Sequence, residues 1–172
     1  MISSLHLAPL LSLGLTVVVM LTGILPSPLL QVADADELPL PRFVSLKSAE
    51  VNLRSGPGVR YPIEWEYQRR GLPVEITAEF DNWRQVRDVE GTAGWIHRAL
   101  LSGKRSALVL PPESVFRSAP EENAAALFRA APGVMVYLLS CDGSWCYTEH
   151  GETKAWVGQK ELWGVYPDEV IE

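Results

Sequence analysis

Cysteine and histidine are scarce in this chain of 172 residues, at two and three respectively. Cys141, Cys146 and the nearby His150 fall short of the four ligands a structural zinc requires, so no metal site and no cofactor is expected. The segments G-x-S-x-G, H-E-x-x-H and S-x-x-K are all missing, which removes the standard serine-nucleophile and metalloprotease signatures and points to a non-enzymatic protein. Basic charge is also short, with a net charge of −6 and no basic stripe. Nucleic acid is therefore not an expected partner. The opening of the chain lacks charge altogether, because the first acidic residue is Asp34 and the first basic residue is Arg42.

In place of charge the leader carries an apolar run of sixteen residues, Leu10 to Leu25, then Pro26, Pro28 and the small-residue pattern Ala33-Asp34-Ala35. This pattern reads as a secretory signal cut after Ala35, giving an exported, periplasmic or envelope protein. The stretch from Leu7 to Leu30 would also serve as an uncleaved membrane anchor, the only way the membrane enters as a partner. Asp36 follows the cleavage position, so a lipid-bearing cysteine is excluded.

Beyond the leader the chain repeats itself at an offset near 62. Leu53-Arg54-Ser55-Gly56-Pro57 aligns with Phe116-Arg117-Ser118-Ala119-Pro120, and Gly71 with Gly133. Asp81-Asn82-Trp83 aligns with Gly143-Ser144-Trp145, and Gly94-Trp95-Ile96 with Ala155-Trp156-Val157. An internal duplication follows, with a signal segment over residues 1–35 and two modules over 36–107 and 108–172. Modules of this size bury only thin cores.

Within the first module the period is two. Ile63, Trp65 and Tyr67 alternate with Glu64, Glu66 and Gln68, and Val74, Ile76, Ala78 and Phe80 with Glu75, Thr77 and Glu79. Half-buried strands are expected, divided by turns at Ser55 to Gly58, Gly71 to Pro73, Asp81-Asn82 and Val89 to Thr92. Gly56 and Gly58 are expected to supply positive φ around a rigid Pro57. A phosphate loop is excluded there, since no Lys-Ser/Thr ending and no helix follow. Arg98 to Leu101 suits a single 3₁₀ turn before a last strand. In the second module the propensity of Glu121 to Ala131 predicts a helical turn in place of a strand pairing.

The segments Val51-Asn52-Leu53-Arg54-Ser55-Gly56-Pro57-Gly58, Tyr61-Pro62, Gly71-Leu72-Pro73-Val74, Trp83 and Gly94-Trp95-Ile96 together resemble the bacterial SH3-like domain family across residues 43–107. The second module is similar but degraded, with Ala119, Glu121 and Ala155 standing where the first has Gly56, Gly58 and Gly94. The resemblance implies an all-β fold of two tandem, partly open barrels of five to six strands. It also implies a ligand-binding role, often toward cell-wall peptide.

Candidate binding residues follow from their chemistry. Tyr61 and Trp83 border the loop and hairpin that flank a groove in such barrels, where an amphipathic ring can meet a ligand; Trp83 reads equally as a lid on the barrel. Trp95, in an apolar run, is expected in the core. Residues 36–107 carry eleven basic and ten acidic residues, nine of the basic ones Arg, whereas residues 108–172 carry four and ten. Arg54, Arg60, Arg69 and Arg70 could grip a carboxylate, or simply pair with nearby Glu or face water; Arg54 and Arg70 are the two taken as binding candidates. The contrast in charge offers the two modules a way to dock on each other. Glu64 and Glu66 share a solvent face rather than a cleft.

Cys141-Asp142-Gly143-Ser144-Trp145-Cys146 carries a turn signal between its thiols, so a disulfide across a hairpin is expected in an exported protein. That pairing would consume the thiol that a Cys146/His150 nucleophile needs. The function expected is recognition of cell-wall or other extended peptide at the envelope. The alternative is assembly with a periplasmic protein, and a thiol-dependent wall enzyme ranks last.

Overall fold

The computed structural model describes residues 38–172, and the expected signal or anchor of residues 1–35 lies outside them. Short strands bounded by turns build two sheets of the same plan. The first comprises β1 (Arg42–Leu46), β2 (Val51–Arg54), β3 (Ile63–Tyr67), β4 (Pro73–Phe80), β5 (Trp83–Arg87), β6 (Ala93–His97) and β7 (Leu101–Ser102). The second comprises β8 (Ser106–Val109), β9 (Ser114–Arg117), β10 (Ala126–Ala130), β11 (Met135–Asp142), β12 (Trp145–His150), β13 (Thr153–Gly158), β14 (Leu162–Trp163) and β15 (Val170–Ile171).

Strand order is β3-β2-β6-β5-β4-β1-β7 in the first sheet and β10-β9-β13-β12-β11-β8-β14 in the second, with β15 added beside β11. Each order maps onto the other by a shift of seven strands, so the duplication read in the sequence is a duplication of topology. Even the bulge recurs, between Ile76 and Ala78 and between Leu138 and Ser140. The sheets hold more strands than the five or six expected. In each, a 3₁₀ turn, Arg98–Leu100 or Gln159–Glu161, hands the chain to a two-residue strand that closes beside the first strand of its sheet.

Each sheet wraps its own core. Leu46, Val51, Leu53, Val74, Ile76, Val86 and Ile96 fill the first, and Val109, Phe116, Val136, Val157 and Leu162 are among those filling the second. Burying each such side chain contributes about 1.5–3 kcal/mol, which has to offset the ordering of many short loops.

Four expectations are corrected. Glu121 to Ala131 is not helical: tight turns close at Glu121 and Ala124, and Ala126–Ala130 pairs antiparallel with β9. The stacking of Phe128 on Phe116 at 4.4 Å decides this against local propensity. Trp95 is only half-buried, because Gly94 and Ile96 on either side take the inward positions of the alternation. In β3, Ile63 and Trp65 are 50% and 52% exposed and only Tyr67 is buried, since this strand is the sheet edge. In β4 the alternation fails after the bulge, leaving Phe80 exposed, while Glu75 is buried at 4%.

The burial of Glu75 has its cause in the second sheet. Phe43 of β1 lies edge-on to Trp163 at 5.0 Å and against Tyr166 at 4.8 Å. The Tyr166 hydroxyl donates to Glu75 at 2.9 Å, and Arg87 holds the other carboxylate oxygen through its Nε at 3.0 Å. Ser106 donates to the Gly71 carbonyl at 2.6 Å and Arg69 to the Gly133 carbonyl at 3.1 Å. Aromatic packing and hydrogen bonds thus join the sheets, rather than the opposite net charges of the two halves. Arg105, in the link between β7 and β8, supplies the one ion pair across the division among the described residues, to Glu169 at 2.8 Å.

Candidate functional site

The loop from Ser55 to Pro62 leaves β2 and returns as β3, and its shape is set by two contacts. Arg54 donates from one Nη1 to the carbonyls of Val59 at 3.1 Å and Tyr61 at 2.7 Å, which pins the loop from beneath. The Tyr61 ring lies so close to Gly56 that a Cβ there would stand 2.5 Å from it. Neither Gly56 nor Gly58 has positive φ, contrary to expectation. Glycine is needed at position 56 for room beside the ring.

Beside this loop Trp83, the first residue of β5, meets His97 at the end of β6. The two are register partners, with their rings edge-on at 5.4 Å. His97 is oriented by its own backbone, its Nδ1 accepting from the Ala99 amide at 3.3 Å. Asn52, Arg54, Val59, Trp83, His97 and Leu100 enclose a hollow of about 160 Å³. No carboxylate is among these residues; the polar groups are a guanidinium, an imidazole and an amide. Such a surface suits an apolar or acidic segment laid against an indole.

Of the four binding candidates, Arg54 and Trp83 share this hollow, and Tyr61 shapes its loop wall. Arg70 does not join them. It lines a separate hollow of about 290 Å³ with Ser45, Lys47 and Gly71, where Lys104 stands over the Tyr137 ring at 3.6 Å. His97, Asn52 and Leu100 were not singled out from the sequence. The departure of the repeat at His97, aligned with Gly158, was the signal available for the first of them.

The same hollow exists in the second module, larger, at about 570 Å³. Its walls include Val115, Arg117, Glu122, Trp145, Gly158 and Glu161, which stand at the repeat positions of Asn52, Arg54, Val59, Trp83, His97 and Leu100 in that order. Arg117 repeats the pinning role of Arg54, donating to the Ala124 carbonyl at 2.9 Å, and Ala124 aligns with Tyr61. Without a tyrosine there, Ala119 is accommodated where the first module needs Gly56.

Cys141 and Cys146 are register partners on β11 and β12 and are joined by a disulfide. Both are buried, and because that bond consumes it Cys146 offers no thiol; the His150 Nδ1 lies 3.0 Å from the Met135 carbonyl instead. In the turn between the two cysteines, Asp142 accepts from the Trp145 and Ser144 amides at 2.8 Å each. Those bonds hold its carboxyl below the usual range. Among the described residues no cluster of three or more potential metal ligands occurs.

A family model described as bacterial SH3 domain matches residues 47–103 and again residues 111–164. Among curated proteins none matches the chain. Among solved structures, NlpC2 from Trichomonas vaginalis is 12% identical at a TM-score of 0.33, over 72% of this chain and 48% of that one. An NlpC/P60 family protein from Bacillus cereus is 15% identical at a TM-score of 0.33, over 70% of this chain and 55% of that one. The chain spans about half the length of these structures, and the overlap is too slight to carry an argument about activity.

Proposed function

The chain belongs to the bacterial SH3 domain family in two tandem copies, and from that premise we propose that it is an exported, non-enzymatic binding protein of the cell envelope. Its first hollow receives an extended peptide, with cell-wall peptide the leading occupant. The observation that carries this reading is the half-exposed Trp83 indole, set between the Arg54-pinned loop and His97 in a hollow without carboxylates. Arg54 spends one terminal nitrogen on the loop, which leaves donors for a peptide carbonyl or carboxylate. Tyr61 acts by holding the loop, and Arg70, placed elsewhere, is not assigned to the same ligand.

Co-sedimentation of residues 36–172 with isolated peptidoglycan sacculi tests the reading. Binding is expected to persist at moderate salt and to fall about five- to 150-fold in Trp83→Ala, since an indole contact with a chain segment is worth roughly 1–3 kcal/mol. Absence of sedimentation, or sedimentation equal in Trp83→Ala, refutes it.

A second reading rests on the free edge of β3, where Ile63 and Trp65 are exposed beside unpaired backbone. A periplasmic protein could add a strand there, giving an assembly module. Trp65→Lys would abolish that interaction and leave binding to sacculi intact.

A further inference from the structure

The second hollow repeats the first in position but not in chemistry. In the first module His97 sits edge-on against Trp83. In the second, Gly158 stands at that position and removes the ring, and no ring pairs with Trp145 among the described residues. The vacated space is taken by a carboxylate, because a Cβ on Gly158 would lie 2.8 Å from the Glu161 Oε1. Glu161 itself replaces Leu100, and one further change runs the same way: Val59 becomes Glu122. An uncovered indole beside carboxylates is the chemistry that holds an organic cation, through the ring's negative face and charge-assisted hydrogen bonds.

Two cations, Arg117 and Lys160, line the same hollow beside the three carboxylates. Glu113 is paired with Arg129 at 2.5 Å, and Arg117 is turned to the Ala124 carbonyl. Lys160 is exposed. Glu122 and Glu161 are in no ion pair among the described residues.

The geometry points to the hollow around Trp145, Gly158 and Glu161 as a second ligand site, selective for the ammonium group of a peptide. It differs in ligand charge from the hollow around Trp83 and does not depend on what that one binds. With both sheets in one compact unit, the chain presents a carboxylate-free hollow and a carboxylate-rich one on the same body.

The test uses the full chain labelled with 5-fluorotryptophan, its six indole signals assigned by single Trp→Phe variants and followed by fluorine NMR. The probes are acetyl-Ala-Lys-Ala-amide, Ala-Ala-Ala-amide with its free amine, and acetyl-Ala-norleucine-Ala-amide as the neutral control. The lysine peptide, the free-amine peptide or both should move the Trp145 signal, and which of them does identifies the source of the ammonium. The norleucine peptide should not. Affinity should fall about five- to tenfold in Glu161→Gln and again in Gly158→His, which restores the ring of the first module. Gly158 has φ −60°, open to any side chain, and the atom its Cβ would meet is the free end of Glu161, so the histidine variant can fold. Equal movement by the norleucine peptide, a still Trp145 signal with both amines, or unchanged affinity in the two variants overturns the assignment. The Trp83 signal reports the first hollow separately, so failure of one site is not read as failure of the other.

Discussion

The Tyr61 ring packs against the backbone of Gly56 so closely that no Cβ fits between them, its atoms lying 2.5 to 2.7 Å from where that carbon would stand. The second copy has changed both partners, to Ala119 and Ala124. Gly56→Ala should therefore destabilise the first module by about 1–3 kcal/mol through overpacking. Gly56→Ala combined with Tyr61→Ala should recover part of that loss, a coupling that urea denaturation of the four proteins in the cycle would measure. Strict additivity would show that the ring is not the obstacle.

Phe43 joins the two sheets by filling the space between Trp163 and Tyr166. Phe43→Ala is expected to cost about 3–5 kcal/mol and to split thermal unfolding into two transitions, one per module. Calorimetry shows which. A single transition shifted downward would mean that each module depends on the other for its core.

Stability should fall at both ends of the pH scale, for identified reasons. Burial first, then the hydrogen bond to Glu75, raises the Tyr166 phenol above its ordinary 10.0. Its contribution is whole below pH 10.0 and is lost as pH rises through the folded value. Glu169 behaves in the opposite sense. Burial opposes its charge, but the Arg105 hydrogen bonds, the Tyr166 amide and the Arg105 charge outweigh burial and lower it from 4.5. Its contribution is present above pH 4.5 and is lost as pH falls below that value. Denaturation midpoints across pH should show both limbs. Tyr166→Phe should flatten part of the alkaline one, the rest belonging to Tyr67, raised by burial and Asp88.

Reduction of the Cys141–Cys146 bond opens a loop of sequence separation 5. So short a loop is worth about 2 kcal/mol on the chain-entropy argument. A chain treated with reductant should remain folded with a lower melting temperature, as read by far-ultraviolet circular dichroism. Complete unfolding would show that the bond does more than pin its hairpin.

The tandem plan was legible because period-two alternation and the repeated Arg54/Arg117 and Trp83/Trp145 positions are local marks, each carried within a few residues. The 3₁₀ turn after His97 and the Cys141–Cys146 pairing were legible for the same reason. The strand at Ala126–Ala130 was not, since local helix propensity is worth only tenths of a kcal/mol per residue and the Phe116–Phe128 stack outweighs it. Nor was the reason for Gly56, because a ring five residues away, not a turn, excludes the side chain.

Module number, strand alternation and the disulfide reside in short stretches of chain, where neighbours in sequence are neighbours in space. The grooves and the joint between the sheets do not. Glu75 reads as a solvent-facing residue of an alternating strand until Tyr166, 91 positions away, covers it and takes its carboxylate as a partner. Arg70 reads as a companion of Arg54 until the fold places it in another hollow, beside Ser45 and Lys47. Such placements depend on which distant surfaces exclude water together, a property of the folded pair of sheets that no window of sequence contains.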